Sequence, residues 1–143
     1  MRRGCVITII TLSVIALVVS VLFYIFVWPE TKKIGTSSFA FVIEDALEQY
    51  KNDQQDYPQA TGNAEILKAL YGDNPRKKQY LDSMESMIRD GQFTDFWKRP
   101  MRFEFPAGEK AVVLSAGPDG VFGNEDDITS QLAKDKWEKA TSK

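Results

Sequence analysis

The chain has 143 residues, a formal net charge of −2 at pH 7, no histidine and a single cysteine. The absence of histidine removes the usual general base and the usual transition-metal ligand, and one cysteine cannot form an intramolecular disulfide. Of the 18 Lys and Arg residues, 16 lie in residues 30–143 together with all 20 Asp and Glu residues, so this part has a net charge of −4. A dedicated nucleic-acid surface is normally basic, and we therefore expect no nucleic-acid partner.

The first predicted element is a transmembrane helix over residues 5–28, which follows a short basic N-terminus at residues 1–4. The run CVITIITLSVIALVVSVLFYIFVW has 24 residues and no charged side chain. As a helix it spans about 36 Å, enough to cross a hydrocarbon core of about 30 Å. Tyr24 and Trp28 lie at its far end, where amphipathic rings favour the headgroup level. A cleaved signal peptide is the alternative, but the bulky residues 26–29 do not suit a signal peptidase.

The charges that flank this helix predict its orientation. Arg2 and Arg3 precede the helix and favour a cytoplasmic N-terminus under the positive-inside rule, although Lys32 and Lys33 on the far side weaken the signal. On this topology the chain is a single-pass membrane protein with membrane lipid as a partner, and the residues after the helix lie outside the cytoplasm.

A predicted ectodomain, residues 29–133, begins at Pro29, which is expected to end or kink the membrane helix. An amphipathic helix then resumes, with N-cap hydroxyls at residues 36–38. Gly35 weakens its connection to the membrane helix, and a single unbroken helix is the alternative. The amphipathic helix is expected to end before Pro58. Its apolar residues follow the spacing of a single stripe that covers a core: Phe39, Val42, Ile43, Ala46, Leu47 and Tyr50.

Two shorter segments with a helical pattern follow. A helix is predicted at residues 64–71, capped by Asn63 and stopped by Gly72. Residues 80–91 are expected to form one or two further helical turns. The residues of these turns that would face the core are Leu81, Met84 and Ile88.

The hydrophobic period changes beyond these helices. In residues 101–105, MRFEF, apolar and polar side chains alternate as on a half-buried strand. Residues 106–109 form a turn, and residues 110–115 pair back as the second arm of an antiparallel hairpin. The charged tail, residues 134–143, is expected to be mostly solvated. The predicted fold class is therefore α+β, with a long amphipathic helix packed on a small antiparallel β-sheet.

Three stretches carry a family resemblance: ALEQYKNDQQDYP (46–58), DFWKRPMRF (95–103) and LSAGPDGVFGNEDDI (114–128). Together with the order of the parts, they resemble the major pseudopilin of type II secretion systems, a type IV pilin-like protein. The first looks like the end of that family's long helix. The second resembles the family's Asp-Pro-Trp-Gly-Asn-Pro-Tyr segment, with Phe96, Lys98 and Arg99 in place of the proline, glycine and asparagine. The third is close to the family's Ser-x-Gly-x-Asp-Gly…Asp-Ile loop, which binds calcium.

The resemblance implies a structural, non-enzymatic subunit that is anchored in a bacterial inner membrane, with its C-terminal domain in the periplasm. Other pseudopilin-like subunits would be its partners through the N-terminal helix. The N-terminus departs from the family pattern, in which a prepilin peptidase would cut after Gly4 and a glutamate would stand at the fifth position beyond the cut. That position is Ile9 here. A stand-alone anchored binding module that does not assemble into filaments is therefore the alternative function.

Residues 114–129 contain four acids and no lysine or arginine. Gly117, Gly120 and Gly123 allow turns with positive φ, so the loop can fold back on itself. Calcium takes six to eight oxygens from carboxylates, carbonyls and water. Acids on both arms of such a loop could supply them: Asp119 on the first arm, and Glu125, Asp126 and Asp127 on the second. The spacing is not that of an EF-hand. The residues alone leave a calcium site and a solvated acidic turn equally open.

By resemblance, six residues contain the candidate calcium ligands: the side chains of Asp119, of Asp127 and of Glu125 or Asp126, and the carbonyls near Ser115 and Ala116. Ile128 would pin the second arm of the loop into the core. A carboxylate pair could also perform acid–base catalysis, but no nucleophile or second polar constellation accompanies it in the sequence. We therefore expect a calcium-stabilised structural protein and no enzyme.

Overall fold

The computed structural model describes residues 2–59, 62–82 and 84–141, and its fold is α+β, as predicted. The helices in these residues are α1 Arg2–Leu22, α2 Trp28–Gln54, α3 Asn63–Leu70 and α4 Gln131–Thr141. Four short strands form two separate antiparallel hairpins: β1 Ile88–Arg89 with β2 Gln92–Phe93, and β3 Arg102–Glu104 with β4 Val112–Leu114. A π-helical turn, Phe23–Val27, lies between α1 and α2, and a 3-10 turn, Glu85–Met87, precedes β1. Contacts divide the chain into an N-terminal unit, Met1–Lys32, and a C-terminal unit, Lys33–Lys143.

The N-terminal unit contains a helical segment that is long and apolar enough to cross a membrane. Within the described residues it is the one such segment, and its most apolar 18-residue window has a mean hydropathy of 2.8. None of that window is buried, and the large apolar side chains from Ile10 to Trp28 are exposed. This exposed apolar surface fits a single-pass membrane anchor.

Pro29 does not end the helical backbone, because it lies in the first turn of α2. The turn just before it widens, and the Trp28 N–H donates to the carbonyl of Phe23, five residues earlier. A proline ring lacks the N–H and crowds the carbonyl four residues before it, and a π-helical turn relieves such crowding. The alternative of an unbroken helix is therefore confirmed at residues 28–54, and the prediction of a helix start near residues 36–38 is wrong.

Thr36 and Ser37 lie inside α2, and both are fully buried. Instead of capping a helix, Thr36 accepts a hydrogen bond from the Phe96 N–H at 3.3 Å. Gly35 does not interrupt α2, and a Cβ at this position would lie 2.8 Å from the Phe96 ring. Because Gly35 has no side chain and Thr36 offers an acceptor, the segment that contains Phe96 can pack directly against α2.

The core of the C-terminal unit forms along one face of α2. Val42, a member of the predicted stripe, is 36% exposed, while the other five members are buried. Phe39 meets the Phe93 ring edge-on at 6.0 Å between centroids. The other elements add these fully or almost fully buried side chains: Ile66 and Leu70 from α3, Phe93 from β2, and Val113 from β4.

Helix α3 matches the predicted helix to within one residue at each end, but Asn63 does not cap it. The Asn63 side chain donates to the carbonyls of Phe93 and Met101 at 2.9 and 2.8 Å, and it accepts the Phe93 N–H at 2.7 Å. Asn63 thereby ties α3 to β2 and to the residue that precedes β3.

Residues 80–91 are predicted as helical turns, but of those that the structure describes (80–82 and 84–91) only the three of the 3-10 turn are helical. Strands β1 and β2 follow, with Ile88 opposite Phe93. The two residues between these strands, Asp90 and Gly91, both have positive φ, 51° and 72°. This conformation is the one that a tight two-residue hairpin requires.

The predicted hairpin over residues 101–115 is confirmed, although its strands are shorter than expected. Phe103 lies opposite Val113, Met101 is buried, and Phe103 and Phe105 are partly buried against the core. Most of the described side chains in the predicted solvated tail are exposed, as expected, and the backbone there is helical, because α4 continues to Thr141. Residues 142 and 143 lie outside the described part of the chain.

Candidate metal-binding loop

The acidic loop, residues 115–128, is closed at its base by a pair of backbone hydrogen bonds. The N–H groups of Ser115 and Ile128 donate to each other's carbonyls, both at 2.9 Å. Ile128 is buried, so the prediction that it pins the second arm into the core is confirmed. The two ends of the loop are therefore held together, and the residues between them form a closed loop.

Glycines give the loop its backbone path. Gly117, Gly120 and Gly123 have φ values of 58°, 79° and 95°, as predicted for residues that make reversed turns. At Gly117 a Cβ would lie 2.0 Å from the carbonyl oxygen of Asp126. The two arms of the loop therefore meet at Gly117, with no room for a side chain.

The carboxylates of the two arms already accept hydrogen bonds from the loop. Asp119 accepts the Val121 N–H at 2.9 Å and the Asn124 side-chain amide at 2.7 Å. Asp127 accepts the Gly123 N–H at 2.7 Å through Oδ2. Asn124 also accepts the Asp126 N–H at 2.8 Å, so its amide links the first arm to the second.

One carboxylate oxygen in the acidic loop is buried and has no hydrogen-bond partner, Oδ1 of Asp127. A buried anionic oxygen without a donor is costly, and a bound cation would satisfy it. The predicted carbonyl ligands accept backbone bonds, Ser115 from Ile128 and Ala116 from the Gly120 N–H at 3.1 Å, and each carbonyl retains a second lone pair. Glu125 is exposed and Asp126 partly buried.

Among the described residues, no group of three or more acidic, histidine or cysteine side chains is close enough to hold a metal ion. A calcium ion in the acidic loop would therefore need backbone carbonyls and water beside its carboxylates. The donors that the loop offers are all hard oxygens, which calcium prefers. Together with the buried oxygen of Asp127, this donor chemistry fits calcium.

The buried carboxylate of Asp95 stabilises the first arm of the acidic loop through hydrogen bonds at the base of the loop. Asp95 is fully buried, and its Oδ1 accepts the N–H groups of Trp97 and Arg99 at 2.7 and 3.0 Å. Its Oδ2 accepts the Ser115 hydroxyl at 2.6 Å, and Ser115 Oγ in turn accepts the Gly117 N–H at 3.1 Å. Asp95 thereby couples the segment after β2 to the base of the loop.

The Arg99 side chain also contacts the acidic loop, a contact that the sequence does not predict. The Arg99 guanidinium donates to the carbonyls of Gly117 and Pro118 at 2.6 and 3.1 Å. A Cβ on Gly120 would lie 2.7 Å from Nη1 of Arg99, so the guanidinium packs directly against the loop backbone. The sequence signal was the replacement of the family's asparagine by arginine at this position.

The segment that follows the acidic loop is fastened to α2. The Ser37 hydroxyl donates to the Thr129 carbonyl at 2.5 Å and accepts the Ala133 N–H at 2.8 Å. The carboxylate of Glu44 accepts the Ser130 hydroxyl, and it also forms an ion pair with Lys134 at 3.2 Å. The same carboxylate accepts the β4 backbone N–H at residue 113. The beginning of α4 and the end of the loop are thus held against the central helix.

The chain was also compared with known proteins. The family model of type II secretion system protein G matches residues 32–137. No curated protein and no solved structure matches the chain. The match extends from the first part of α2 through both hairpins and the acidic loop into α4, and thus includes most of the chain. The chain therefore belongs to the type II secretion system protein G family, the family of major pseudopilins.

Proposed function

We propose that the protein is a structural subunit of a type II secretion or type IV pilus-like system, with no enzymatic activity of its own. The observation that carries the proposal is the family match over residues 32–137, preceded by an apolar helix of membrane length. The exposed apolar side chains of that helix give neighbouring subunits and lipid a surface to cover. Other pseudopilin subunits are the partners that the family implies.

Assembly through the N-terminal helix can be tested by photo-crosslinking in the bacterium that produces the protein. A photoreactive amino acid in place of Leu17, which is 66% exposed, should give a ladder of adducts at multiples of the 16.2 kDa chain. The ladder should be lost when the same variant is expressed in a host without a type II secretion system. Adducts to lipid alone in the native host would contradict assembly and support the stand-alone binding module.

The absence of the family's glutamate favours that alternative, since Ile9 stands at the corresponding position. The mass of the mature N-terminus separates the two functions further. Loss of residues 1–4 in cells would support processing by a prepilin peptidase and filament assembly. An intact N-terminus would favour an anchored module that keeps only the pseudopilin ectodomain.

We place the N-terminus in the cytoplasm and the C-terminal unit in the periplasm, beyond the inner membrane. Arg2 and Arg3 support this orientation through the positive-inside rule. An alkaline phosphatase fused after Lys143 should be active, because that enzyme matures outside the cytoplasm. An inactive fusion that is expressed at a normal level would overturn the orientation.

Calcium is the proposed stabilising ion of the acidic loop. Asp119 and Asp127 would bind it together with water and carbonyls near Ser115 and Ala116. Glu125 or Asp126 would have to move closer to them to serve as a third side chain. The support is the hard-oxygen donor set and the buried, partnerless Oδ1 of Asp127. The ion would supply positive charge that offsets the repulsion among four carboxylates in one short loop.

A further inference from the structure

The two arms of the acidic loop differ in how their oxygens are satisfied. On the first arm, the carbonyls of Gly117 and Pro118 each accept a hydrogen bond from the Arg99 guanidinium. On the second arm, Oδ1 of Asp127 is buried and accepts none. Within the described residues, the hydrogen bonds that an arginine donates to the loop are therefore on the first arm, while the Arg102 guanidinium stacks on the Phe122 ring, 3.9 Å from its centroid.

Arg99 is held in position by its own backbone. Its N–H donates to the buried carboxylate of Asp95 at 3.0 Å, and its carbonyl accepts the Asp95 N–H at 2.9 Å. Asp95 is in turn bonded to Ser115 at the base of the loop. The guanidinium thus extends from a fixed point that is already tied to the first arm, which lowers the entropic cost of its two hydrogen bonds.

The loop backbone is shaped to receive the guanidinium. At Gly120 a side chain would collide with Arg99, since a Cβ would lie 2.7 and 2.8 Å from Nη1 and Cζ. A planar guanidinium can donate to two neighbouring carbonyls at once, whereas an ammonium group cannot match this fork. Both the approach and the hydrogen bonding therefore depend on an arginine at this position.

We propose that Arg99 is a built-in cation that closes the first arm of the acidic loop without any metal. The second arm, with the unsatisfied Asp127 oxygen, is the part that depends on calcium. The statement about the second arm rests on the proposed calcium site. The statement about Arg99 and the first arm does not. Removal of calcium should then loosen the second arm and leave the first arm closed.

Amide hydrogen exchange, measured by NMR on the full chain in detergent micelles, tests this difference between the two arms with and without a calcium chelator. The amides of Gly117 and Gly120 report on the first arm, and those of Gly123 and Asp127 report on the second. In the chelator, the first-arm amides of the wild type should stay protected. Arg99→Gln should accelerate their exchange at least about tenfold, because the loss of two charge-assisted bonds opens the arm more often.

Arg89→Gln removes an exposed arginine from β1 and is the matched control, with first-arm exchange expected at the wild-type rate. The amides of Ala46 and Leu47 in the core of α2 show whether a variant remains folded. If Arg99→Gln also unfolds this core, the variant Arg99→Lys tests instead whether the guanidinium closes the first arm. It keeps the charge without the fork, and it should accelerate first-arm exchange by about threefold or more.

Two results would overturn the proposal: wild-type first-arm amides that lose protection in the chelator, or first-arm exchange that the Arg99 substitutions leave unchanged. A different result would overturn the calcium proposal alone. If calcium protects neither arm of the wild type while Arg99→Gln still opens the first arm, Arg99 closes the loop and no calcium binds. The two proposals can therefore fail separately.

Discussion

Replacing Gly117 with alanine is expected to open the acidic loop and to destabilise the C-terminal unit by about 3 kcal/mol or more. The new Cβ would lie 2.0 Å from the Asp126 carbonyl oxygen, which is a backbone atom and cannot rotate away. The φ of 58° adds the strain that a Cβ meets in the left-handed region. Chemical denaturation of the full chain in detergent micelles, followed by tryptophan fluorescence, measures the loss.

Gly123→Ala is the matched control on the same loop. Gly123 also has a positive φ, 95°, but a Cβ there would meet nothing within 4 Å. Its cost should be the backbone strain alone, about 1–2 kcal/mol. Equal losses for the two variants would mean that the arms do not meet at Gly117, and would contradict the closed loop.

Asp95→Ala should be the second severe substitution, with a loss of about 3–5 kcal/mol. It removes the acceptor for two backbone N–H groups and for the Ser115 hydroxyl, all at a fully buried site. Buried donors that lose their acceptor keep the full cost of desolvation. Thermal unfolding of the full chain in micelles should show a correspondingly lower midpoint.

Asp95→Asn preserves the side-chain volume and one acceptor oxygen, so it should recover a large part of the loss. Asp73→Ala serves as the surface control, because the Asp73 side chain is exposed and its ion pair with Lys77, at 3.6 Å, is exposed to solvent. Its effect should stay within about 0.5 kcal/mol. An Asp95→Ala protein as stable as Asp73→Ala would show that Asp95 does not support the loop.

The sequence predicted those parts of the fold that depend on local periodicity and on turn chemistry. The apolar run before Pro29, the buried stripe of α2 and the hairpin over residues 101–115 all follow from spacing. The positive φ values of the loop glycines follow from the freedom of a residue without a Cβ. The burial of Ile128 is predicted by the family resemblance.

Two elements that the sequence analysis did not predict had weaker signals. Asp90-Gly91 is a dipeptide that favours tight hairpins, but strands β1 and β2 have only two residues each, too few for an alternating pattern. The charged composition of the tail predicts a solvated segment but does not indicate whether it is helical. Helix α4 is held at its start by contacts of Ser37 and Glu44 with residues about 90 positions away.

Contacts between residues that are far apart in the sequence also explain the other predictions that were wrong. The hydroxyls of Thr36 and Ser37 predict helix caps, because hydroxyls are common at that position, yet their hydrogen-bond partners lie far along the chain. Asn63 was predicted as a cap for the same reason, and it binds two strands instead. Arg99 could be identified as a departure from the family pattern, but its contact with the acidic loop required the fold.

We propose that calcium stabilises the acidic loop and with it the C-terminal unit. The most direct test of this proposal is the thermal unfolding of the full chain in detergent micelles, with excess calcium and with a chelator. Calcium at about a hundred times its dissociation constant should add about 2.7 kcal/mol, a rise of roughly 10 °C in the midpoint. The combined substitutions Asp119→Asn and Asp127→Asn should abolish the rise, and Glu109→Gln, in the exposed turn between β3 and β4, should preserve it. A midpoint that does not respond to calcium, or a response that survives the double substitution, would contradict the proposal.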